Sequence, residues 1–197
     1  FANYKLSLDM LLSNDISKKD EFARTEDGIN ALNKKIVNFL IQLSLQEVSE
    51  TDEKKISSFF RVSSDLERIG DYAENIMEYS EKASELNLTF SEHATAEILE
   101  MDLHITNLYR HVINVFRYSD LSYMPQVEFE ENETDRMNAV MQKSHLRRMR
   151  EGHCSPETGA IFLQLAVNME RIGDHMHNIA NSVLDYGHKA VSKQTKN

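Results

Sequence analysis

At 197 residues with 41% apolar content, the chain is long enough to bury a core as one domain or two small ones. Its formal net charge of −10 repels nucleic acid and anionic membrane surfaces on average, and no basic cluster interleaved with aromatics offsets this, which excludes nucleic acid as a direct partner. The single cysteine, Cys154, excludes an internal disulfide and any Cys-x-x-Cys zinc site, and a reducing compartment fits that usage.

Two prolines and six glycines, with long stretches of 3.6-residue periodicity between them, predict an all-α protein. Helix one is expected from residue 1 to about 12, helix two from about 17 to 48, and helix three over 52–86. Helix four is expected over about 91–118, helix five over 125–151 and helix six from 155 to about 188, before a polar, frayed tail at 192–197. At the start of helix six, Ser155 is a good N-cap, Pro156 suits the first helical position and Glu157 complements the helix dipole. Cys154 is therefore a turn cysteine, and a catalytic thiol paired with the adjacent His153 is the disfavoured reading, because sequence neighbours seldom form a dyad. No apolar run reaches the 18 or so residues of a bilayer span, and no signal-peptide pattern stands at the start.

One stretch occurs twice. Residues 65–76 read DLERIGDYAENI and residues 168–179 read NMERIGDHMHNI, identical at seven positions. At 100° per residue, Val62, Leu66, Ile69, Ala73 and Ile76 form one apolar stripe, as do Leu165, Met169, Ile172, Met176, Ile179 and Val183. Opposite the first stripe stand Glu67, Asp71, Glu74 and Glu78; opposite the second stand Glu170, Asp174, His177 and Asn181. Glu67/Asp71 and Glu170/Asp174 are each spaced i, i+4, so like charges sit side by side and need solvent, a basic partner or a bound cation. Gly70 and Gly173 lie on the flank between stripe and acids, where glycine costs about 1 kcal/mol relative to alanine but lets another group come close. Acids and glycine duplicated together favour the cation over a merely solvated face.

Outside the motif the halves align at an offset of 105: Asp15-Ile16-Ser17 with Asp120-Leu121-Ser122, and Glu26, Asn30, Leu32 and Ile36 with Glu131, Asp135, Met137 and Met141. The motif itself repeats at an offset of 103. The expected organisation is two tandem three-helix repeats, 1–88 and 89–190, about a pseudo-twofold axis, with a polar tail at 191–197. On this offset the counterpart of helix four would start about fifteen residues before Phe1, so the first helix is expected to be truncated and the parent chain to continue upstream. Glu131 and Asp135 form a further i, i+4 carboxylate pair, whereas Glu26 is followed by the amide Asn30. With the second and third helices of a repeat adjacent and antiparallel, Glu131/Asp135 would meet Glu170/Asp174, and four such oxygen ligands suit Mg²⁺, Mn²⁺ or iron. The first-repeat set, Glu26, Glu67 and Asp71, carries one charge fewer. His177, three residues after Asp174, is a candidate nitrogen ligand; its counterpart Glu74 and Asn30 complete the additional candidates.

The duplicated Glu-Arg-Ile-Gly-Asp stretch, the two three-helix repeats and the total length resemble the PhoU family of phosphate-uptake regulators over essentially the whole chain. The segment 143–181, with KSHLRRMREGHCSPETG leading into NMERIGDHMHNIA, looks more like the PhoU-type C-terminal domain of sodium/phosphate cotransporter proteins than like free-standing PhoU. The resemblance implies two three-helix bundles whose motif faces bind metal ions or multinuclear iron clusters, with Mg, Mn, Zn and Ni also admissible. Carried over, the ligands are Glu67 and Asp71, Glu170 and Asp174, with Glu131 and Asp135 as the second-helix pair; Asn30 departs from the acidic pattern. It further implies a regulator and no enzyme, at the cytoplasmic face of the membrane, tuning a membrane phosphate transporter that would lie upstream in the same polypeptide. A free-standing PhoU regulator, which would also contact a sensor kinase, is the alternative, and either form admits a homo-oligomer. Two readings of other classes stand beside it. A di-iron carboxylate oxidase would use Asp174-x-x-His177, and a metal-free scaffold would bind basic partners on its acidic faces. No Gly-rich phosphate loop, nucleotide motif or Ser/His/Asp order is present.

Overall fold

The computed structural model describes residues 1–187 and is helical, with no strand among the described residues. The first repeat holds α1 (Ala2–Ser13), α2 (Lys19–Ser44) and α3 (Glu50–Glu85). The second holds α4 (Glu92–Tyr118), α5 (Met124–Arg150) after a 3-10 turn at Leu121–Tyr123, and α6 (Pro156–Ser182), with one further turn, α7 (Leu184–Gly187). No helix of the described residues is long and apolar enough to cross a membrane.

The helix ends follow local chemistry. Ser49, Ser91 and Ser155 adopt extended backbone and accept the amides of Asp52, Ala94 and Thr158 at 3.2, 3.3 and 3.1 Å, so α3, α4 and α6 begin on serine caps. Pro156 stands at the first turn of α6 as its fixed φ prefers, and Cys154 lies in the turn before it. α1 and α4 both end on a left-handed residue, Asn14 (φ 55°) and Ser119 (φ 54°), which places the two caps at the same offset as the aligned sequence. α2 is shorter than its periodicity suggests. Asp15 accepts the Ser17 amide at 2.9 Å, as Asp120 accepts that of Ser122 at 3.1 Å, and this local turn competes with a helical start at residue 17. α6 stops at Ser182 instead of running on, with Val183 interrupting it before α7; the expected end at His188 and the tail at 191–197 lie outside the described residues.

α3 and α6 run antiparallel through the middle, tied along their length by Ser58 to the Ser182 carbonyl (2.9 Å), His175 to Asp65 (2.8 Å) and Asn168 to Tyr79 (3.0 Å). α1 meets α4 beside them: the Tyr4 hydroxyl donates to Asp102 at 2.9 Å and the Phe1 ring stacks on Tyr109 at 4.0 Å. The core joins both repeats, from Tyr4, Leu8 and Ile76 to Ile98, Met137, Phe162 and Met169. The second apolar stripe, Leu165 to Val183, is buried throughout, whereas the first is broken at Leu66, which is exposed. The physical reason is coverage. The 27 residues of α4 overlie α5 and α6, while the 12 of α1 reach only part of α2 and α3. Of the α2 side chains only Phe22, Glu26 and Leu40 are buried.

Candidate metal centre

α5 and α6 approach closely where Gly173 faces Thr134: a methyl group at Gly173 would stand 2.9 Å from the Thr134 hydroxyl. This contact sets the distance between the acids of the two helices. Glu131 and Asp135, one turn apart on α5, and Asp174 on α6 each offer a carboxylate oxygen, and the three oxygens lie within 4.8 Å of one another. Asp135 is exposed; Glu131 and Asp174 are half-buried. His177 places Nδ1 3.4 Å from Glu131 Oε1, while its Nε2 lies 3.1 Å from the Asn181 amide nitrogen. Glu170 belongs to the same patch without joining the trio, and its Oε2 lies 3.5 Å from Arg171 Nε. Arg171 also reaches Asp174, Nη1 to Oδ2 at 3.1 Å.

The patch is short of positive charge. Burial holds the Glu131 carboxyl above the usual carboxylate range; His177 opposes this, and the charges of Asp135 and Asp174 add to it. Glu170 is pushed up in the same direction, first by burial and then by Asp174, against the pull of Arg171. Partly desolvated carboxylates that crowd one another in this way fit a divalent cation, which would take oxygen ligands from two helices and has a nitrogen within reach in His177.

The first repeat arranges its candidates differently. Glu67, Asp71 and Glu74 are exposed along α3, and Asn30 is exposed on α2. Glu26 is turned inward and buried, its Oε2 accepting from Asn3 Nδ2 at 3.0 Å and its Oε1 lying 3.0 Å from where a Gly70 side chain would begin. Among the described residues, Glu26, Glu67 and Asp71 do not close into a trio like that of the second repeat. Arg68 lies 3.5 Å from Asp71, and Glu74 is pushed up by burial first and by Glu26, Glu78 and Asp71 next.

Four residues escape a reading by carboxylate spacing. Thr134 has no charge to draw attention; Gly173 was the only sign that something packs there. Arg171 and Arg68 stand inside the duplicated motif but one position off the acidic face, where helical geometry alone leaves their long side chains unplaced. Asn3 precedes Glu26 by 23 residues and no periodicity links them.

Comparison with known proteins bears on the whole arrangement. A family model described as the PhoU domain matches residues 2–80 and 85–183, one match to each repeat. A phosphate-specific transport system accessory protein PhoU homolog of Xylella fastidiosa is 26% identical over 183 residues, spanning 93% of this chain and 76% of that protein. PhoU homolog 1 of Thermotoga maritima is 26% identical over 161 residues, 81% of this chain and 68% of its own. Among solved structures, PhoU from Pseudomonas aeruginosa superposes with a TM-score of 0.85 at 21% identity, over 93% of this chain and 87% of that one. The phosphate transport system regulatory protein PhoU from Streptococcus pneumoniae gives 0.72 at 20% identity, over 95% and 90% of the two chains.

Proposed function

The chain belongs to the PhoU domain family, and from that premise we propose that it is a non-catalytic regulator of phosphate transport, working at the cytoplasmic face of the membrane on a separate phosphate transporter. The relatives named as accessory proteins of a phosphate-specific transport system support this form over a domain fused behind a sodium/phosphate cotransporter. The fused reading retains one argument, the sequence 143–181, and it predicts the same partner chemistry.

The observation that carries the proposal is the Glu131–Asp135–Asp174 trio, held within 4.8 Å across two helices. Glu131, Asp135 and Asp174 would hold the metal, with His177 and Glu170 beside it, and Glu67, Asp71 and Glu26 would form a weaker second site. A bound cation there supplies charge neutralisation and an acceptor for anions that the bare acids repel. Iron, Mn²⁺ or Mg²⁺ suits the oxygen-rich set, with Zn²⁺ or Ni²⁺ favoured if His177 takes part. Metal or phosphate status would then bias how these helix faces dock on the transporter, by differential affinity for two states. An oxidase would place its carboxylates within the bundle core; here Asp135 is exposed and the trio lies at the surface.

The test is metal content by elemental analysis of protein purified without chelator, beside Glu131→Gln and Asp174→Asn. Stoichiometric metal in the parent, lost in both variants, supports the reading. No metal in any of them after incubation with Fe²⁺, Mn²⁺ or Zn²⁺ sinks it in favour of the metal-free acidic scaffold. Phosphate uptake that stays the same with and without the chain, at low and high phosphate, would remove the regulatory role.

A further inference from the structure

The two motif helices part company just after their shared aspartate. At the offset of 103, His177 and Asn181 of α6 correspond to Glu74 and Glu78 of α3, so an imidazole and an amide stand in one repeat where two further carboxylates stand in the other. Both ring nitrogens of His177 are engaged. Nε2 lies 3.1 Å from the Asn181 amide nitrogen, and Nδ1 lies 3.4 Å from Glu131 Oε1.

An amide nitrogen carries two hydrogens and offers no lone pair, so toward the ring it can only donate. Nε2 must accept. A neutral imidazole has a single N–H, and with Nε2 accepting from Asn181 that hydrogen sits on Nδ1, where it faces the Glu131 carboxylate. Glu131 registers the contact: burial raises its carboxyl, and His177 is the first influence to oppose the rise. The first repeat shows the converse. Its Glu74 is one more acid, pushed up by burial and then by Glu26, Glu78 and Asp71, while Glu26 takes its donor from Asn3 instead. Glu26, Glu67 and Asp71 do not close into a trio among the described residues.

We propose that His177 is a positioning residue of the metal centre and not one of its ligands: Asn181 fixes the Nδ1–H tautomer, and that N–H holds Glu131 in place beside Asp135 and Asp174. With one nitrogen protonated and the lone pair of the other taken by Asn181, the ring has nothing to offer a cation. The ligands are then oxygens alone, a set that suits Mn²⁺ and Mg²⁺, whereas an imidazole would draw Zn²⁺ or Ni²⁺. For the choice of metal this inference rests on the function proposed above; the tautomer belongs to the protein without metal.

The test reads the tautomer from the couplings between ring nitrogens and ring protons in ¹⁵N spectra of the metal-free full chain at alkaline pH, with His177→Gln used to assign the signal. The parent should show His177 protonated at Nδ1. Asn181→Asp reverses the polarity, because a carboxylate can only accept, and should move the proton to Nε2. The same chains are then titrated with Mn²⁺ and with Zn²⁺. Asn181→Asp frees the Nδ1 lone pair and should raise the ratio of Zn²⁺ to Mn²⁺ affinity by about tenfold. His177→Phe should lose Mn²⁺ affinity by about 10- to 100-fold, and His177→Gln, whose amide can donate to Glu131, should restore most of it. A parent ring protonated at Nε2, or a His177 nitrogen that binds Zn²⁺ in the parent, overturns the proposal. The two readings fail separately. No binding of either ion by any chain, with Nδ1 protonated, removes the metal and leaves His177 as the donor to Glu131; metal bound with Nε2 protonated keeps the metal and overturns the positioning role.

Discussion

Thr134 occupies the space beside Gly173 that a side chain would need, its hydroxyl 2.9 Å from the position of a Gly173 methyl group. Thr134 is fully buried and donates to the Glu131 carbonyl at 2.7 Å, so it cannot swing aside without giving up that bond. An alanine in an open helix gains about 1 kcal/mol over glycine, but overpacking typically costs about 1–3 kcal/mol. Gly173→Ala should therefore lose stability in urea melts, by up to about 2 kcal/mol net. It should also weaken Mn²⁺ binding, because the strain is relieved by moving α5, with Glu131 and Asp135, away from Asp174.

The other mid-helix glycines should answer differently. A methyl group at Gly28 meets nothing within 4 Å, so Gly28→Ala should stabilise the protein by about 1 kcal/mol. At Gly70 the obstacle is Glu26 Oε1, 3.0 Å away at the end of a flexible side chain, so Gly70→Ala should fall between the other two. The order Gly28, Gly70, Gly173 in urea midpoints checks the assignment of each neighbour.

The fold was legible because its cues are local and occur twice. Serines 49, 91 and 155, Pro156 and the 3.6-residue spacing specify helices without reference to any neighbour, and the two motif copies set the repeat. What stayed hidden depends on length and partnership. Leu66 has the same helical phase as Met169, yet its burial is decided by a helix that is 12 residues long in one repeat and 27 in the other. The site was legible to the same degree: Glu131, Asp135 and Asp174 follow from helix faces, but the inward turn of Glu26 is decided by Asn3, a residue from another helix.

The contact between His175 and Asp65 bridges the two repeats, with Nδ1 and Oδ1 2.8 Å apart and the side chains 20 and 15% exposed. Removing one partner strands the other in a poorly solvated place, which costs about 1–3 kcal/mol. His175→Ala should lower the unfolding free energy by about that much, and Asp65→Ala added to it should cost less than the two single changes together. Strict additivity would mean the contact contributes nothing to holding the repeats together.

His145 gives the protein a defined acid weakness. It is buried on α5 with Nδ1 unpartnered, and burial first, then the Arg148 charge, holds its pKa below the ordinary value of about 6.5, with Glu97 opposing. Gly159 touches the ring so closely that a methyl group there would collide with Cε1, and Cys154 flanks the same glycine. A depressed histidine pKa means the unfolded chain binds the proton first. The stability held by neutral His145 is therefore complete above about pH 6.5 and is lost as the pH falls through the window beneath it. Urea midpoints for the parent and His145→Gln, compared between about pH 7.5 and 5, should converge toward acid; parallel curves would show that His145 takes up its proton equally in both states.

Arg171 should act against the metal. It lies 3.1 Å from Asp174 and 3.5 Å from Glu170, so it occupies a carboxylate oxygen that a cation would use and adds a like charge beside it. Its own side chain is half-exposed, so solvent weakens both effects, and an ion pair of this kind is worth about 0.2–1 kcal/mol. Arg171→Ala should accordingly tighten Mn²⁺ binding by up to about fivefold, while Asp174→Asn should abolish it, each read by isothermal titration at low salt. The gain should shrink as salt is added, because a screened charge repels less. Should Arg171→Ala instead weaken binding, the arginine would be positioning Asp174 for the ion, and the trio would depend on a fourth residue to hold its shape.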